Sequence, residues 1–203
     1  MLILAYDTET SGLPLWNDPS EDPRQPHIVE LAALLVDEES REVVETLHHV
    51  VRPDGWEIPD DVAAIHGITT ALATERGVPE KDVVDAFYQL HQRAARRLAH
   101  NESFDQRIVR IGLKRFGYTD EQADTFKAAP ASCTQKLSTP ILALPPTAAM
   151  KAARRFHHKS ANLGEAFQYF TGKPLEGAHS AMVDVQACLT VFWAIKDRGR
   201  AAA

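Results

Sequence analysis

The chain has only two cysteines in 203 residues, Cys133 and Cys188. So sparse and widely separated a pair excludes a disulfide scaffold and suits a reducing compartment, so a cytoplasmic location is expected. Long apolar runs are missing as well. Nothing approaches the roughly 20 residues that a membrane span requires, and the opening run 1–6 is cut short by Asp7 and Glu9, unlike a signal peptide. Positive charge is in deficit: 22 Lys and Arg against 28 Asp and Glu leave a net charge of -6. Proteins that grip long stretches of duplex rely on a basic face, which disfavours that class of function. Chemistry on phosphates is not thereby excluded. Carboxylates that hold divalent cations add to the negative count, and the cations reverse the local charge once bound.

What is present is the composition of a globular protein, 44% hydrophobic and 25% charged, with no internal repeat. The length suits a single domain over residues 1–203. Residues 2–6 form a compact apolar run that reads as a buried strand delivering Asp7 at its end. Two further β-rich runs, 28–36 and 43–51, are separated by a polar stretch at 37–41 suited to a hairpin, so the first three strands are expected to be antiparallel. Between the first two lie residues 14–26, with four prolines and several acids, which predicts an exposed irregular loop. Beyond Pro53 the period becomes helical. Val83, Ala86, Phe87, Leu90 and Ala94 mark one face of a helix starting near Pro79, and a short strand is expected at 97–100. Asn101 then opens a helix through Ile108, Ile111 and Leu113 that stops at Gly117. Another helix, around Leu163 to Phe170, ends at Gly172, and the last covers 182–195 with Val185, Leu189, Phe192 and Trp193 facing the core; residues 198–203 are expected to fray. Strands first and helices after, in one domain, means an α/β or α+β fold.

Three short segments could carry chemistry. In Asp7-Thr8-Glu9 the acids project from one face of an extended chain and can share a metal, although a strand exiting into solvent has the same pattern. Asp105 stands four residues after Asn101 at a helix start, where an acid is also a common partner of the helix dipole. His179 precedes Asp184 by five residues, a spacing that on one helix would part the side chains, so His179 belongs on the preceding loop. Its alternative reading is an exposed histidine beside an ordinary N-terminal acid.

Taken together these segments resemble the three motifs of the DEDDh (DnaQ-like) family of 3′-to-5′ exonucleases. The first is matched by Tyr6-Asp7-Thr8-Glu9-Thr10-Ser11-Gly12-Leu13, the second by Ala99-His100-Asn101-Glu102-Ser103-Phe104-Asp105, and the third by Ala178-His179-Ser180-Ala181-Met182-Val183-Asp184. The runs Ile28-Val29-Glu30-Leu31-Ala32, His66-Gly67-Ile68-Thr69 and Cys133-Thr134 match secondary features between them, so the resemblance covers nearly the whole chain. It implies a ribonuclease H-like α/β fold, a mixed five-stranded sheet flanked by helices with the site at the end of the first strand. It further implies that Asp7, Glu9, Asp105 and Asp184 bind two divalent cations, Mg²⁺ or Mn²⁺, which prefer oxygen ligands. His179 would be the general base, a role suited to an imidazole with an ordinary pKa of about 6.5. The products would be nucleoside 5′-monophosphates.

Family position also places Thr10, Leu13, His66, Ile68, Asn101 and Phe104 near the terminal nucleotide, Leu13 and Ile68 as apolar contacts to its base; for Phe104 packing within its helix is the competing role. The basic run Lys151, Arg154, Arg155, His157, His158 and Lys159 would either hold the incoming strand or be a solvated loop. The expected partner is the 3′ end of DNA or RNA, with single-stranded DNA favoured. Little chain follows the last helix, and proofreading subunits engage their polymerase through a longer tail, so a free-standing enzyme is expected. Rival readings are an RNA-trimming enzyme of the same family, a strand-end binding module without catalysis, and a non-haem iron enzyme. The last fits poorly, since its triad needs two histidines and one carboxylate.

Overall fold

The computed structural model describes residues 1–201, with side chains through 199. Among them the order of elements is β1 (Leu2–Thr10), β2 (Ile28–Asp37), β3 (Val43–Arg52), α1 (Asp60–His66), α2 (Thr70–Arg76), β4 (Val78–Pro79) and α3 (Glu80–Arg93). There follow β5 (Arg96–Ala99), α4 (Glu102–Arg115), α5 (Asp120–Ala128), β6 (Ala131–Cys133), α6 (Thr134–Leu142), α7 (Ala148–Ala152), α8 (Leu163–Thr171) and α9 (Ala181–Ala201). The strands form one sheet in the order β4-β3-β2-β1-β5-β6. As expected, β1, β2 and β3 pair antiparallel, and β5 and β6 add in parallel.

The expected five strands become six among the described residues. The addition is β4, which pairs in parallel with the end of β3 through Val51–Val78 and Arg52–Pro79. Two residues carry no readable alternation, and Pro79 can sit only at a sheet edge because it has no N–H to donate.

The continuous apolar run of β2 follows from its central position, covered on both faces. Leu31, Ala33 and Leu35 point into the cluster formed with Val83, Phe87, Ile108 and Phe126 of α3, α4 and α5. The alternate residues Ala32, Leu34 and Val36 pack with Val185, Leu189 and Phe192 of α9. Burial of each such large side chain is worth about 1.5–3 kcal/mol, which is why α9 is held firmly against the sheet.

Two expectations about irregular segments are corrected. Residues 14–26 are indeed without regular structure, but Pro14, Ser20, Gln25 and Pro26 are buried. The Gln25 amide accepts from Leu15 N at 3.0 Å and donates to Leu15 O and Pro19 O, while Arg107 and Arg110 of α4 both donate to Ser20 Oγ. A loop that satisfies its own backbone in this way stays packed where its prolines alone suggested exposure. At the other end, α9 continues through Ala201 where fraying was expected from residue 198, and residues 202–203 lie outside the described residues. No described helix is long and apolar enough to cross a membrane.

Candidate active site

The pleat of β1 fixes the first two acids. Thr8 and Thr10 are buried while Asp7 and Glu9 are half-buried, so both carboxylates leave the same face of the strand. Thr8 turns the opposite way and ties β1 to α4: its N–H and its hydroxyl donate to Asp105 Oδ1 at 3.0 and 2.8 Å. Asp105, 2% exposed, is thus held by two donors as well as placed in the first turn of α4. That helix is entered through Asn101, whose φ of 66° is left-handed, a conformation asparagine tolerates better than most residues.

The third segment is built similarly. His179 stands on the loop, as its spacing predicts, with φ at 67° and the side chain exposed. Its backbone N–H donates to Asp184 Oδ2 at 3.1 Å, and Asp184 N returns a bond to Ser180 O. The remaining oxygen, Asp184 Oδ1, is buried and has no hydrogen-bond partner.

These segments converge on a cleft of about 370 Å³ whose lining includes Asp7, Glu9, Asp105, His179 and Asp184, with Leu13, Asn101 and Phe104 around them. One ligand atom each from Glu9, His179 and Asp184 lies within 4.8 Å of the others, a group that could hold a cation. A larger hollow of about 480 Å³ lies beside His27, Trp56, Glu80 and Arg115. Its central charges pair among themselves, Glu80 with both His27 and Arg115.

Crowding of like charge shows in the acids. Burial, then the neighbouring charges of Asp105, Asp184, Glu9 and Glu30, hold Asp7 well above the usual carboxylate range. Burial, with Asp184 and Glu30, pushes Glu9 up to about 7. Asp105 is raised to about 8 by burial, against the opposing bonds from Thr8. Asp184 is raised too, by burial first, with the His179 N–H working against it. Four acids that resist ionising side by side, and a buried carboxylate oxygen without a donor, fit a site completed by cations.

Three expected contact residues are not on the cleft wall. Thr10 is buried and donates to Gly12 O at 2.7 Å, shaping the turn after β1. Ile68 is 7% exposed and packs with Val29, Ile58, Ala63 and Ala73, as a residue of the core. His66 is half-buried and accepts the N–H of Ile68 through Nδ1; burial lowers its pKa. By contrast Leu13 is 79% exposed at the rim, and Phe104 both lines the cleft and packs on the core.

Residue-type reasoning missed Thr8, His100 and Glu30. Thr8 bridges two motifs and His100 lines the cleft while bonding Thr134 Oγ1 and Ala161 O. Glu30 pairs with Glu9 in the β1–β2 register and is 5% exposed. The signal for it was available: a lone acid within an apolar strand needs partners.

The sheet order and helices match solved structures throughout. E. coli exonuclease I in complex with a dA16 oligonucleotide superposes with a TM-score of 0.72 at 20% identity, over 97% of this chain and 41% of that one. The moderately thermophilic exonuclease I from Methylocaldum szegediense gives 0.70 at 20% identity, over 97% and 40%. The zinc-bound form of the E. coli exonuclease I complex with single-stranded DNA gives 0.68 at 20%, over 96% and 40%. The chain thus spans about two fifths of the length of each, and shares with them the ribonuclease H-like fold. None of the curated proteins matches the sequence. The family model described as "Exonuclease", of RNase T type, matches residues 4–192. With the three motifs gathered in one cleft and nearly the whole length matched, the chain belongs to this family of exonucleases.

Proposed function

We propose that the chain hydrolyses the terminal phosphodiester at the 3′ end of DNA, single-stranded in preference, and releases nucleoside 5′-monophosphates. The observation that carries this reading is the convergence of Asp7, Glu9, Asp105 and Asp184 from three segments, with Asp184 Oδ1 buried and unpartnered. Such an oxygen, beside three other carboxylates, is open to a cation that the protein itself does not supply. Single-stranded DNA is favoured because similar solved structures are exonuclease I complexes with a dT13 and a dA16 oligonucleotide.

In this reading the four acids hold two divalent cations, Mg²⁺ or Mn²⁺. When bound, the cations supply positive charge for the phosphate and acidify the attacking water. His179, exposed on its loop and tethered to Asp184 only through its backbone, has its imidazole free to take the proton from that water. As the new P–O bond forms, the bond to the 3′ oxygen of the next nucleotide breaks, and that oxygen takes its proton from solvent. Leu13 and Phe104 offer apolar surface to the terminal base without reading its edge, as trimming any sequence requires. The described residues act as one domain, because β1, β2, α4 and α9 all belong to the same packed unit.

The test is shortening of 5′-labelled DNA and RNA of matched sequence with Mg²⁺, with Mn²⁺ and with EDTA, for the parent chain and for Asp7→Ala and His179→Ala. Stepwise loss from the 3′ end that needs metal and both residues is the expected result. The DNA-to-RNA ratio then decides the sugar, and no metal-dependent shortening of either polymer would remove the proposal in favour of a strand-end binding module.

A further inference from the structure

The acidic balance of the chain hides an asymmetry. Residues 125–164 contain none of the 28 acids but six of the 22 Lys and Arg: Lys127, Lys136, Lys151, Arg154, Arg155 and Lys159. Lys159 is paired with Glu165, whereas Lys151, Arg154 and Arg155 have no ion pair among the described residues. Residues 151–158 are exposed without interruption, and among these cations Phe156 stands 72% exposed. A large aromatic ring left in water within a basic segment matches the surface that single strands use, phosphates on cations and bases stacked on a ring.

The segment has a defined shape. Helix α7 is capped by Thr147, which accepts from Met150 N, and ends where Arg154 adopts a left-handed φ of 56° while Arg155 N donates to Met150 O at 2.8 Å. Glycine is the usual occupant of that position, yet here it carries a guanidinium. The next residues border a second hollow of about 380 Å³, lined by Gln135, Lys136, Thr139, His157, His158 and Ser160. This hollow is a neighbour of the catalytic cleft. His100 and Leu163 line the cleft, His100 Nε2 contacts Ala161 O, and Ala161 N donates to Thr139 Oγ1 in the hollow's wall. The stretch 157–163 therefore borders first one cavity and then the other.

We infer that residues 151–158, with the hollow beneath them, bind the sugar-phosphate backbone of the same strand whose 3′ end lies at the carboxylates, with Phe156 stacking one of its bases. This rests on the exonuclease reading for the direction of the strand. The occupant is nucleic acid in preference to an acidic protein because the surface adjoins the cleft and because its aromatic group sits among the cations.

Binding of a 5′-fluorescein single-stranded 15-mer and of a labelled dinucleotide is measured by anisotropy, with Ca²⁺ present, for the parent chain, Arg154→Gln/Arg155→Gln, Lys151→Gln and Phe156→Ala. The parent is expected to bind the 15-mer, and the double variant to bind it about tenfold more weakly, with the slope of log K against log salt lowered by about 1.4. The dinucleotide, too short to leave the cleft, should lose less than twofold. Equal 15-mer affinity in parent and double variant, with both folded by thermal melting, overturns the inference. Polyglutamate that binds as tightly as the 15-mer and competes with it overturns the choice of occupant. Failure of the exonuclease reading is seen separately, as absence of metal-dependent hydrolysis, and leaves the binding comparison readable.

Discussion

Glu30 Oε2 accepts the backbone N–H of Ala181 at 2.8 Å, joining the central strand to the first residue of α9 across 151 positions. Its other oxygen lies 2.6 Å from His48 Nε2 on β3. Ala181 falls between His179 and Asp184, so this bond sets where both stand. Glu30→Ala is expected to lower kcat about a hundredfold, the scale of a misplacement near 1 Å. Glu30→Gln keeps an acceptor for Ala181 and should retain most of the rate. Equal losses in the two variants would show that the charge of Glu30 matters and its geometry does not.

The raised carboxylates give stability a direction in pH. A group whose pKa is higher in the folded than in the unfolded chain adds stability below its unfolded value and loses it as pH rises through the folded value. With Glu9 at about 7 and Asp105 at about 8, against ordinary values of about 4, the melting temperature without metal should fall from roughly pH 4 to 8 and level off above that. His91, lowered to about 4 by burial, acts in the opposite sense up to its ordinary value of about 6.5, so the fall is clearest between roughly pH 6.5 and 8. Added Mg²⁺ or Mn²⁺ should restore stability, more so at the alkaline end. Thermal melts in EDTA across this window check it, and a flat profile would mean that the acids ionise freely.

His179→Ala should separate chemistry from folding. The bond that Asp184 accepts comes from the backbone at position 179, so it survives the substitution. A loss of about 10²–10⁴ in kcat is expected, with an unchanged melting temperature. An equally large drop in both would identify His179 as structural.

Arg97 is fully buried, lies 3.0 Å from Glu102, donates to Phe126 O and sits 4.2 Å from the centre of the Phe126 ring. Arg97→Met leaves Glu102 with the Tyr6 hydroxyl and the more distant charge of Lys136, and should cost about 3–5 kcal/mol in urea unfolding. Adding Glu102→Gln should recover part of that loss, since no buried charge is then left alone. Additive losses in the double variant would deny the coupling.

The sheet's centre and the acids of the cleft were legible in the sequence for definite reasons. Strands β1 and β2 are apolar runs of a length that only a buried strand explains, and Asp7, Glu9, Asp105, His179 and Asp184 sit in motifs whose order is recognisable. What stayed hidden depends on contacts between distant segments. The burial of Ile68 is set by α1 and α2 packing on Val29, which no local period reveals. The anchoring of residues 14–26 depends on Arg107 and Arg110, two arginines that read as ordinary exposed helix residues. β4 is simply too short to leave a pattern.

The bond from Glu30 to Ala181 also orders events in time. Strand β1 and its two acids leave the ribosome well before His179 on its loop and Asp184 on α9, which follow every described strand. Long-range contacts of this kind form late, because closing a large loop must precede any gain from it. A chain made only as far as β6 therefore carries Asp7, Glu9 and Asp105 without His179 and Asp184, and its cleft lacks one wall. Docking of α9 is the step that assembles the cleft.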